Sequence, residues 1–367
     1  MIAIFYYGII YILLEHLFVF VSKKEIITPK DRNIIICVIF IASTLLGVRF
    51  VISDWIDYMV QYNEAVQGVE SRSLEPIWAF LQKVMAFFHL HYSCFFSLIF
   101  MINISLVLFG VREIDRKYLP YTGLIFLTLL PEMSNIMRQA VALCIFVYSI
   151  QYIIKRDFKR YVIAVIIAMG FHSSAILVLP FYWIVCFKAK INVVLQLIIY
   201  AIFVFILPVI IKDLISNYII LLANVERYAY QVDNFYFHEG ETNTGLGNLM
   251  VHLINVVVII FSNRYLKNNP ALKGIYLLYF ITACISASII DIGDIVSRFF
   301  KYGNYVLLIV LPGMMFHLFK KSYKGIYYFL LSWYVILLVY QTSLDTYPGL
   351  KPLHFFWENI NYNQYIK

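Results

Sequence analysis

Charged residues and cysteines are scarce in this sequence. Only 14% of its 367 residues are Asp, Glu, Lys or Arg, whereas 62% are hydrophobic and 18% are aromatic. Soluble globular domains carry about 25% charged residues, so this composition excludes a soluble globule and indicates a polytopic membrane protein. The five cysteines lie in or beside apolar runs without a Cys-x-x-Cys spacing, which argues against both a disulfide framework and a zinc site.

Ten apolar runs are candidates for crossing a lipid bilayer, which takes about 20 residues in a helix. They cover residues 2–21, 33–52, 93–111, 118–133, 137–154, 191–211, 247–262, 274–290, 300–317 and 325–342. The first run lacks the small-residue cleavage site of a secretory signal peptide, so we expect it to stay in the protein. We predict an all-α polytopic membrane protein with about eleven transmembrane helices in a single domain over residues 1–367.

Residues 161–187 form an interrupted apolar segment. Its sequence, YVIAVIIAMGFHSSAILVLPFYWIVCF, contains a polar Phe-His-Ser-Ser box after Gly170. The box leaves two pieces of roughly eleven residues, each too short to cross a membrane alone. We therefore predict a broken pair of short helices that turns at residues 171–174.

Basic residues gather in six short loops. These loops contain 19 of the 29 Lys and Arg residues, and an excess of Lys and Arg marks cytoplasmic loops. They are residues 22–32, 111–118, 155–160, 188–190, 263–273 and 318–324. If 155–160 and 188–190 lie on one side, the broken pair enters and leaves the membrane on that side. The 53–92 and 212–246 loops and the 343–367 tail are then external, and the turn of the broken pair points toward them.

The predicted external face is rich in arginine. Arg is among the costliest residues to place in a membrane, yet Arg138 and Gln139 begin a span in the stretch SNIMRQAVAL. Arg49, Arg227 and Arg298 lie near the same predicted face. Arg49 and Arg298 have an alternative explanation, because long basic side chains at span ends snorkel to the lipid headgroups. The polar neighbours of Arg138 make that explanation weaker for this residue.

Histidine and carboxylate side chains accompany these arginines. His172 interrupts a membrane segment, and non-helical backbone at membrane depth is tolerated only inside the protein or beside a water-filled cavity. A satisfied interior histidine is the alternative. Asp54 and Asp57, three residues apart, would share a helical face that could hold a divalent metal, and ordinary solvation explains them equally well. Glu75 opens an amphipathic stretch.

Several short motifs follow one another in a recognisable order. A Gly-x-Arg sequence at Arg49 precedes Asp54, Tyr58 and Glu75, and the motifs NIMRQAVA, FHSSAILVLPFYW, RYAY and SRFFKY follow. In this order the chain resembles the EpsG family of bacterial polysaccharide polymerases, which is related in role to the Wzy O-antigen polymerases. The resemblance covers about residues 45–305, and MRQAVA and FHSSA are its most specific motifs.

The resemblance implies a GT-C-type glycosyltransferase in the bacterial cytoplasmic (inner) membrane, with its active site facing the periplasm or exterior. Such an enzyme takes an undecaprenyl-pyrophosphate-linked glycan donor and acceptor from the lipid bilayer and joins their repeat units. It serves O-antigen, lipopolysaccharide or exopolysaccharide biosynthesis and can work with a chain-length regulator protein. Nucleic acid is not an expected partner.

The residues themselves fit this chemistry. Displacing a polyprenyl pyrophosphate requires stabilisation of an anionic leaving group, and Arg offers permanently charged, bidentate donors that match phosphate. We predict that the pyrophosphate and the substrate are bound by Arg49, Arg138, Gln139, Arg227, Arg298, Tyr58 and Tyr228. The attacking hydroxyl needs a base, which we expect among His172, Asp54 and Glu75. Several arginines together can replace a metal ion, so we expect neither a metal nor a cofactor.

Two other functions stay open from the sequence. A lipid-linked oligosaccharide transporter or flippase would also be basic and multispanning, but the sequence shows no two-half repeat of the kind that many transporters carry. A membrane O-acyltransferase would use an embedded His as its base, although it has less need of several arginines on one face.

Overall fold

The computed structural model describes residues 2–50, 54–69, 74–186, 192–210, 246–266, 272–289, 301–321, 323–344 and 353–357. Helices dominate this part of the chain, as predicted, and six of them are long and apolar enough to cross a membrane. The six are Ile2–Lys23, Tyr92–Asn135, Met137–Ile154, Val193–Ile210, Lys301–Lys320 and Lys324–Ser343. The chain is therefore a multi-pass membrane protein, and the count of about eleven crossings stays a prediction.

The secondary structure follows the apolar runs closely. In chain order the helices are α1 (Ile2–Lys23), α2 (Pro29–Gly47), α3 (Asp54–Val66), α4 (Pro76–Phe87), α5 (Tyr92–Asp115), α6 (Leu119–Asn135), α7 (Met137–Ile154), α8 (Phe158–Met169), α9 (Phe181–Cys186), α10 (Val193–Phe205), α11 (Leu246–Leu266), α12 (Lys273–Ile289), α13 (Leu307–Lys320) and α14 (Lys324–Ser343). The described structure also contains two 3-10 helices (Arg116–Tyr118 and Ser173–Val178), two short strands, β1 (Arg49–Phe50) and β2 (His354–Phe355), and a helical turn at residues 301–305 that precedes α13.

The chain divides into two compact units. The first consists of Met1–Tyr182 and Leu311–Lys367, and the second of Trp183–Val310. The first unit contains α1 to α8 together with α14, and the second contains α10 to α12. The residues predicted to carry the function and described by the structure all lie in the first unit. The expectation of a single transmembrane domain stays a prediction.

Small residues let the helices of the first unit approach each other closely. A Cβ atom on Gly110 of α5 would lie 2.7 Å from the Cα atom of Tyr148 in α7, so only glycine permits this crossing. A Cβ atom on Gly123 of α6 would lie 3.0 Å from the Phe18 side chain of α1. Such close backbone contact is the usual basis of helix association in a membrane, where burial of apolar surface gives no advantage over lipid.

A buried polar network joins the helices of the second unit. The Tyr200 hydroxyl of α10 lies 2.9 Å from Nδ1 of His252 and accepts a hydrogen bond of 2.9 Å from the Asn255 amide, both in α11. Tyr279 of α12 donates to the same Asn255 side chain. Interhelical hydrogen bonds of this kind stabilise packed membrane helices. The network explains how α10, α11 and α12 associate.

The interrupted segment has the predicted broken form. Helix α8 ends at Met169, the chain turns, and a 3-10 helix and α9 return. The Tyr161 hydroxyl donates to the carbonyl of Val178, and the rings of Phe158 and Tyr182 lie 4.9 Å apart, so the two limbs run side by side. The second limb is not one α-helix, because Pro180 lacks an N–H group and clashes with the preceding turn.

Helix α2 begins and ends earlier than the predicted run 33–52. Thr28 and Asp31 form a capping box at its start: each side chain accepts the other's backbone N–H. After Gly47 the chain forms β1, in which Arg49 lies opposite Phe355 of β2. This two-stranded pair is the one departure from an all-α fold in the described part of the chain.

The predicted loops contain more helix than expected. The 53–92 segment, which is predicted to be external, forms the helices α3 and α4 in its described part. The basic stretch 111–118 consists of the end of α5 and the first 3-10 helix; at Asp115, the last residue of α5, the backbone is extended at φ −161° and the carboxylate caps the following 3-10 turn. The predicted 212–246 loop lies outside the described residues except for Leu246, and the 343–367 tail is described only at residues 343–344 and 353–357.

Candidate functional site

The junction between α6 and α7 places Arg138 at the start of a buried helix. Helix α6 ends at Asn135, Ile136 leaves the helical conformation with φ −117° and ψ 43°, and α7 begins at Met137. The first N–H groups of a helix have no partner within the helix and carry a partial positive charge. The Arg138 side chain is 26% exposed, whereas the side chain of Gln139 is buried.

Arg138 forms an ion pair with Glu75. Its Nη1 atom donates to Oε2 of Glu75 over 2.7 Å, and the Glu75 side chain is only 17% exposed. The centre of the Tyr58 ring lies 6.0 Å from the guanidinium carbon, and Tyr58 is also hydrogen-bonded to Arg138. Burial raises the pKa of the Tyr58 phenol, an effect that the positive charge of Arg138 opposes. Groups from α3, α7 and the residue before α4 thus meet at one point.

The carbonyl of Gly170 explains why the Glu75 side chain reaches Arg138. Glu75 occupies the N-cap position of α4, but its side chain makes no capping hydrogen bond. The N–H groups of Ile77 and Trp78 donate instead to the carbonyl of Gly170, over 2.9 and 3.1 Å. The broken segment therefore caps α4 and leaves the Glu75 carboxylate available for Arg138.

His172 lies at the turn of the broken segment and caps the 3-10 helix that follows. Its Nδ1 atom accepts from the backbone N–H of Ser174 over 3.4 Å and lies 2.6 Å from the Ser174 hydroxyl. When Nδ1 accepts from an N–H group, a neutral ring carries its proton on Nε2. In that tautomer the Nε2 atom of His172 is a hydrogen-bond donor. Its role as a base stays a prediction.

Arg49 lies in a separate, fully buried position. Its Nε donates to the carbonyl of Leu46 over 3.0 Å, its Nη1 donates to the Tyr7 hydroxyl over 3.0 Å, and its Nη2 donates to Ser134. The Trp55 ring centre lies 5.4 Å from the guanidinium carbon. Ser134 belongs to the last turn of α6, so Arg49 supports the junction that carries Arg138. Direct binding of pyrophosphate by Arg49 stays a prediction.

Asp54 and Asp57 lie in the first turn of α3. Asp54 is partly exposed and acts electrostatically on Tyr58 one turn later, whereas Asp57 is exposed. Among the described residues no group of three His, Cys, Asp or Glu side chains is placed to hold a metal ion. Arg227, Tyr228 and Arg298, which the sequence also predicts for this site, lie outside the described residues.

Several buried polar atoms near Arg138 and Tyr58 have no hydrogen-bond partner within the described ranges. They are Oδ1 of Asn135, Nε of Arg138, both amide atoms of Gln82, and Nε1 of Trp55 and Trp78. The ring centres of Trp78 and Tyr58 lie 5.7 Å apart, and Gln82 follows Trp78 by one turn on the same face of α4. A buried polar atom left unpaired costs about 1–3 kcal/mol, so this interior suits a polar ligand.

Two residues that shape this region, Gly170 and Gln82, were not among the predicted site residues. The carbonyl of Gly170 acts through a contact that no local pattern encodes. For Gln82 a weak signal exists, because its spacing of four residues from Trp78 places a buried amide beside a buried indole on one helix face.

Comparison with known proteins identifies a family. The model of the EpsG family matches residues 32–355, which is most of the chain. No curated protein and no solved structure matches the chain.

Proposed function

Because this chain belongs to the EpsG family, a Wzy-like polymerase family, we propose that it joins lipid-linked oligosaccharide repeats at the outer face of the bacterial cytoplasmic membrane. Membership of the family and the apolar helices make it a polysaccharide polymerase-type membrane protein. The proposal adds a GT-C-like architecture with about eleven crossings, an undecaprenyl-pyrophosphate-linked donor and acceptor, and a chain-length regulator as protein partner.

The ion pair of Arg138 with Glu75 carries the proposal. A cation at the start of a membrane helix is tolerable when an anion neutralises it. Here the neutralising anion is the Glu75 carboxylate, which contacts Arg138 through one oxygen. The Nε atom of the same guanidinium is buried without a partner among the described residues. Arg138 therefore has donor capacity beyond what Glu75 uses, as expected for a group that binds a multiply charged phosphate.

The proposed reaction is a displacement at an anomeric carbon. A hydroxyl of the acceptor sugar attacks this carbon, the bond between the carbon and the pyrophosphate oxygen breaks, and polyprenyl pyrophosphate leaves with the electron pair. Arg138 and the N-terminus of α7 stabilise the charge that develops on the leaving group. Gln139, Tyr58, Arg49, Arg227, Arg298 and Tyr228 are the further residues proposed to bind the pyrophosphate and the sugars.

The proton of the attacking hydroxyl requires a base. Glu75, Asp54 and His172 are the proposed groups, and they differ in their surroundings. Glu75 contacts Arg138 directly, Asp54 lies one turn from Tyr58, and His172 lies two residues after the carbonyl that caps α4. All three belong to the elements that surround Arg138, so each is a reasonable candidate by position.

Helix α4 offers a path for the lipid part of the substrate. Phe80 and Phe87 on this helix are 63% and 77% exposed, whereas Trp78 and Gln82 on the opposite side are buried. A helix with one exposed apolar face is suited to lie at the membrane surface. We propose that the polyprenyl chain runs along this apolar face while its pyrophosphate reaches Arg138 near the start of the helix.

A complementation experiment tests the proposed function. Cells that lack the chromosomal copy receive the wild-type protein, an Arg138→Ala variant or an Arg160→Ala control, and their surface glycan is resolved by length. Arg160 pairs with Asp157 and is 68% exposed, so the control removes an arginine without touching the site. We expect long glycans from the wild type and the control, and glycans of one repeat from Arg138→Ala at equal protein level.

The same experiment separates the other functions. Loss of a flippase would leave no repeat at the cell surface, because the lipid-linked unit would stay inside. Loss of an O-acyltransferase would change the acyl groups of the glycan and not its length. Full-length glycan from Arg138→Ala would contradict the proposed polymerase site.

A further inference from the structure

The geometry of the Arg138–Glu75 pair also bears on the order in which the substrates bind and react. We propose that Glu75 holds the place of the donor pyrophosphate on Arg138 in the resting protein, and becomes the base for the acceptor hydroxyl when the pyrophosphate displaces it. This inference rests on the proposed function, and it adds a substrate-controlled switch to it.

The geometry of the pair supports an exchange of anions. Glu75 uses one carboxylate oxygen and engages one nitrogen of the guanidinium, at 2.7 Å. Arg–carboxylate pairs are frequently bidentate, with two parallel hydrogen bonds, so this single contact leaves hydrogen-bonding capacity on both partners. Within the described part of the chain, the Nε atom of Arg138 and the Oδ1 atom of Asn135 have no hydrogen-bond partner, so Glu75 alone does not complete the surroundings of Arg138.

The position of Glu75 allows it to move without unfolding its helix. Glu75 precedes α4 and contributes no side-chain cap, because the carbonyl of Gly170 receives the first N–H groups of the helix. Displacement of the carboxylate from Arg138 therefore breaks no hydrogen bond of the α4 backbone. Its side chain is 17% exposed, so the displaced carboxylate remains at the edge of the site.

Such an exchange changes the chemistry of Glu75. While Glu75 is bound to Arg138, its Oε2 atom is engaged by the guanidinium at 2.7 Å and the carboxylate is held in place. After the pyrophosphate takes over Arg138, the carboxylate loses this partner and can turn toward the acceptor hydroxyl. The acceptor hydroxyl then gives its proton to Glu75 as its oxygen bonds the anomeric carbon and the pyrophosphate leaves.

The switch predicts that the donor binds before the acceptor is activated. The base is withheld until the leaving group is in place on Arg138. A water molecule or an acceptor sugar that enters the empty site would meet a Glu75 carboxylate that is still held on Arg138. The carboxylate thus protects the site from unproductive reaction as well as serving the productive one.

Binding of a sugar-free lipid pyrophosphate tests the switch. If Glu75 competes with the pyrophosphate for Arg138, removing the charge of Glu75 raises the affinity of the protein for the pyrophosphate. If Glu75 instead supports Arg138, the same change lowers that affinity. Farnesyl pyrophosphate is titrated calorimetrically into the full-length protein in lipid nanodiscs. We expect Glu75→Gln to bind it about three- to tenfold more tightly than the wild type, since a competing internal anion is removed. The same variant should produce no polymer in cells.

Two further variants complete the test. Glu75→Asp keeps the charge but shortens the reach to Arg138, so it should also bind farnesyl pyrophosphate more tightly while it retains part of the polymer. Glu113→Gln is the matched control, because it removes an exposed carboxylate that pairs with Lys155 at 3.1 Å, and its binding should equal that of the wild type.

The outcomes distinguish the switch from the function on which it rests. Weaker or unchanged binding in both Glu75 variants would overturn the switch, because Glu75 would then orient Arg138 or act elsewhere. If Arg138→Gln bound farnesyl pyrophosphate as well as the wild type, the proposed function itself would be wrong. Tighter binding by both Glu75 variants, with loss of binding in Arg138→Gln, supports both.

Discussion

A single methyl group at Gly170 should disconnect the broken segment from α4. Gly170 has φ −66° and ψ −16°, a conformation that alanine adopts readily, so backbone strain does not oppose Gly170→Ala. The new Cβ atom would instead run into the side chain of Ile77. To make room, the Gly170 carbonyl must move away from the N–H groups of Ile77 and Trp78.

The energetic cost can be worked out from these contacts. Overpacking by one methyl group costs about 1–3 kcal/mol, and each of the two capping hydrogen bonds contributes about 0.5–1.5 kcal/mol. Because a shift of the Ile77 side chain relieves only part of this clash, we expect the start of α4 to lose about 2–3 kcal/mol against local opening. That loss corresponds to a roughly 30- to 150-fold increase in the opening equilibrium.

Hydrogen exchange and glycan length together measure this effect. The N–H groups of Ile77 and Trp78 should exchange roughly 30- to 150-fold faster in Gly170→Ala than in the wild type. Amides in the middle of α7 should keep their exchange rates. The polymer should shorten, because Glu75 is no longer held beside Arg138. Gly325→Ala is the control, since no atom lies within 4 Å of a Cβ at that position. Unchanged exchange at α4 in Gly170→Ala would refute the capping role of the broken segment.

Four other predictions concern charge, topology, metal and pH. Arg138→Lys should restore little polymer, because an ammonium is a point charge without the bidentate fork of arginine; full activity would contradict a phosphate clamp. In a cysteine-free background, Gln67→Cys should react with an impermeant thiol reagent added outside and Lys159→Cys should not, and the reverse pattern would invert the topology. Purified protein should keep most of its polymerising activity in excess EDTA. Activity that is lost in EDTA and returns only with a divalent ion would contradict the metal-free reaction and require metal ligands in the protein. Because burial raises the pKa of Tyr58 above its ordinary value of 10.0, its phenol stays protonated between about pH 6 and 9. Tyr58→Phe should therefore lower activity without changing the pH profile, which pH–rate curves of the two proteins would show.

The sequence predicts best what depends on neighbouring residues. Apolar runs located the helices, and the polar stretch around Arg138 correctly marked the start of α7. The glycine and the polar box correctly marked the break between α8 and the 3-10 helix. These features follow from the periodicity and the polarity of short segments, which a single sequence displays directly. The early start of α2 was also readable, since Thr28 and Asp31 have the spacing of a capping box.

Contacts between distant segments were beyond the sequence. Glu75 and Arg138 were both predicted site residues, but their separation of 63 positions gave no reason to pair them with each other. The capping of α4 by the Gly170 carbonyl depends on a backbone atom, so no side-chain type in the sequence predicts it. Arg49 was expected at a membrane edge, and its complete burial arises because Tyr7, Ser134 and the end of α2 converge on it.

The pairing of β1 with β2 has a consequence for how the protein is made. Arg49 and Phe355 are opposite residues in the two strands, and the amide of Phe356 donates to the carbonyl of Val48 over 3.1 Å. A ribosome translates β2 some 300 residues after β1 and after the last helix of the described chain. During synthesis, the segment around Arg49 must therefore wait, with unpaired backbone groups, until membrane insertion of α14 is complete. Assembly of the site is thereby a late event in biogenesis, and a nascent chain halted between α14 and β2 would carry every described helix while β1 still lacked its partner.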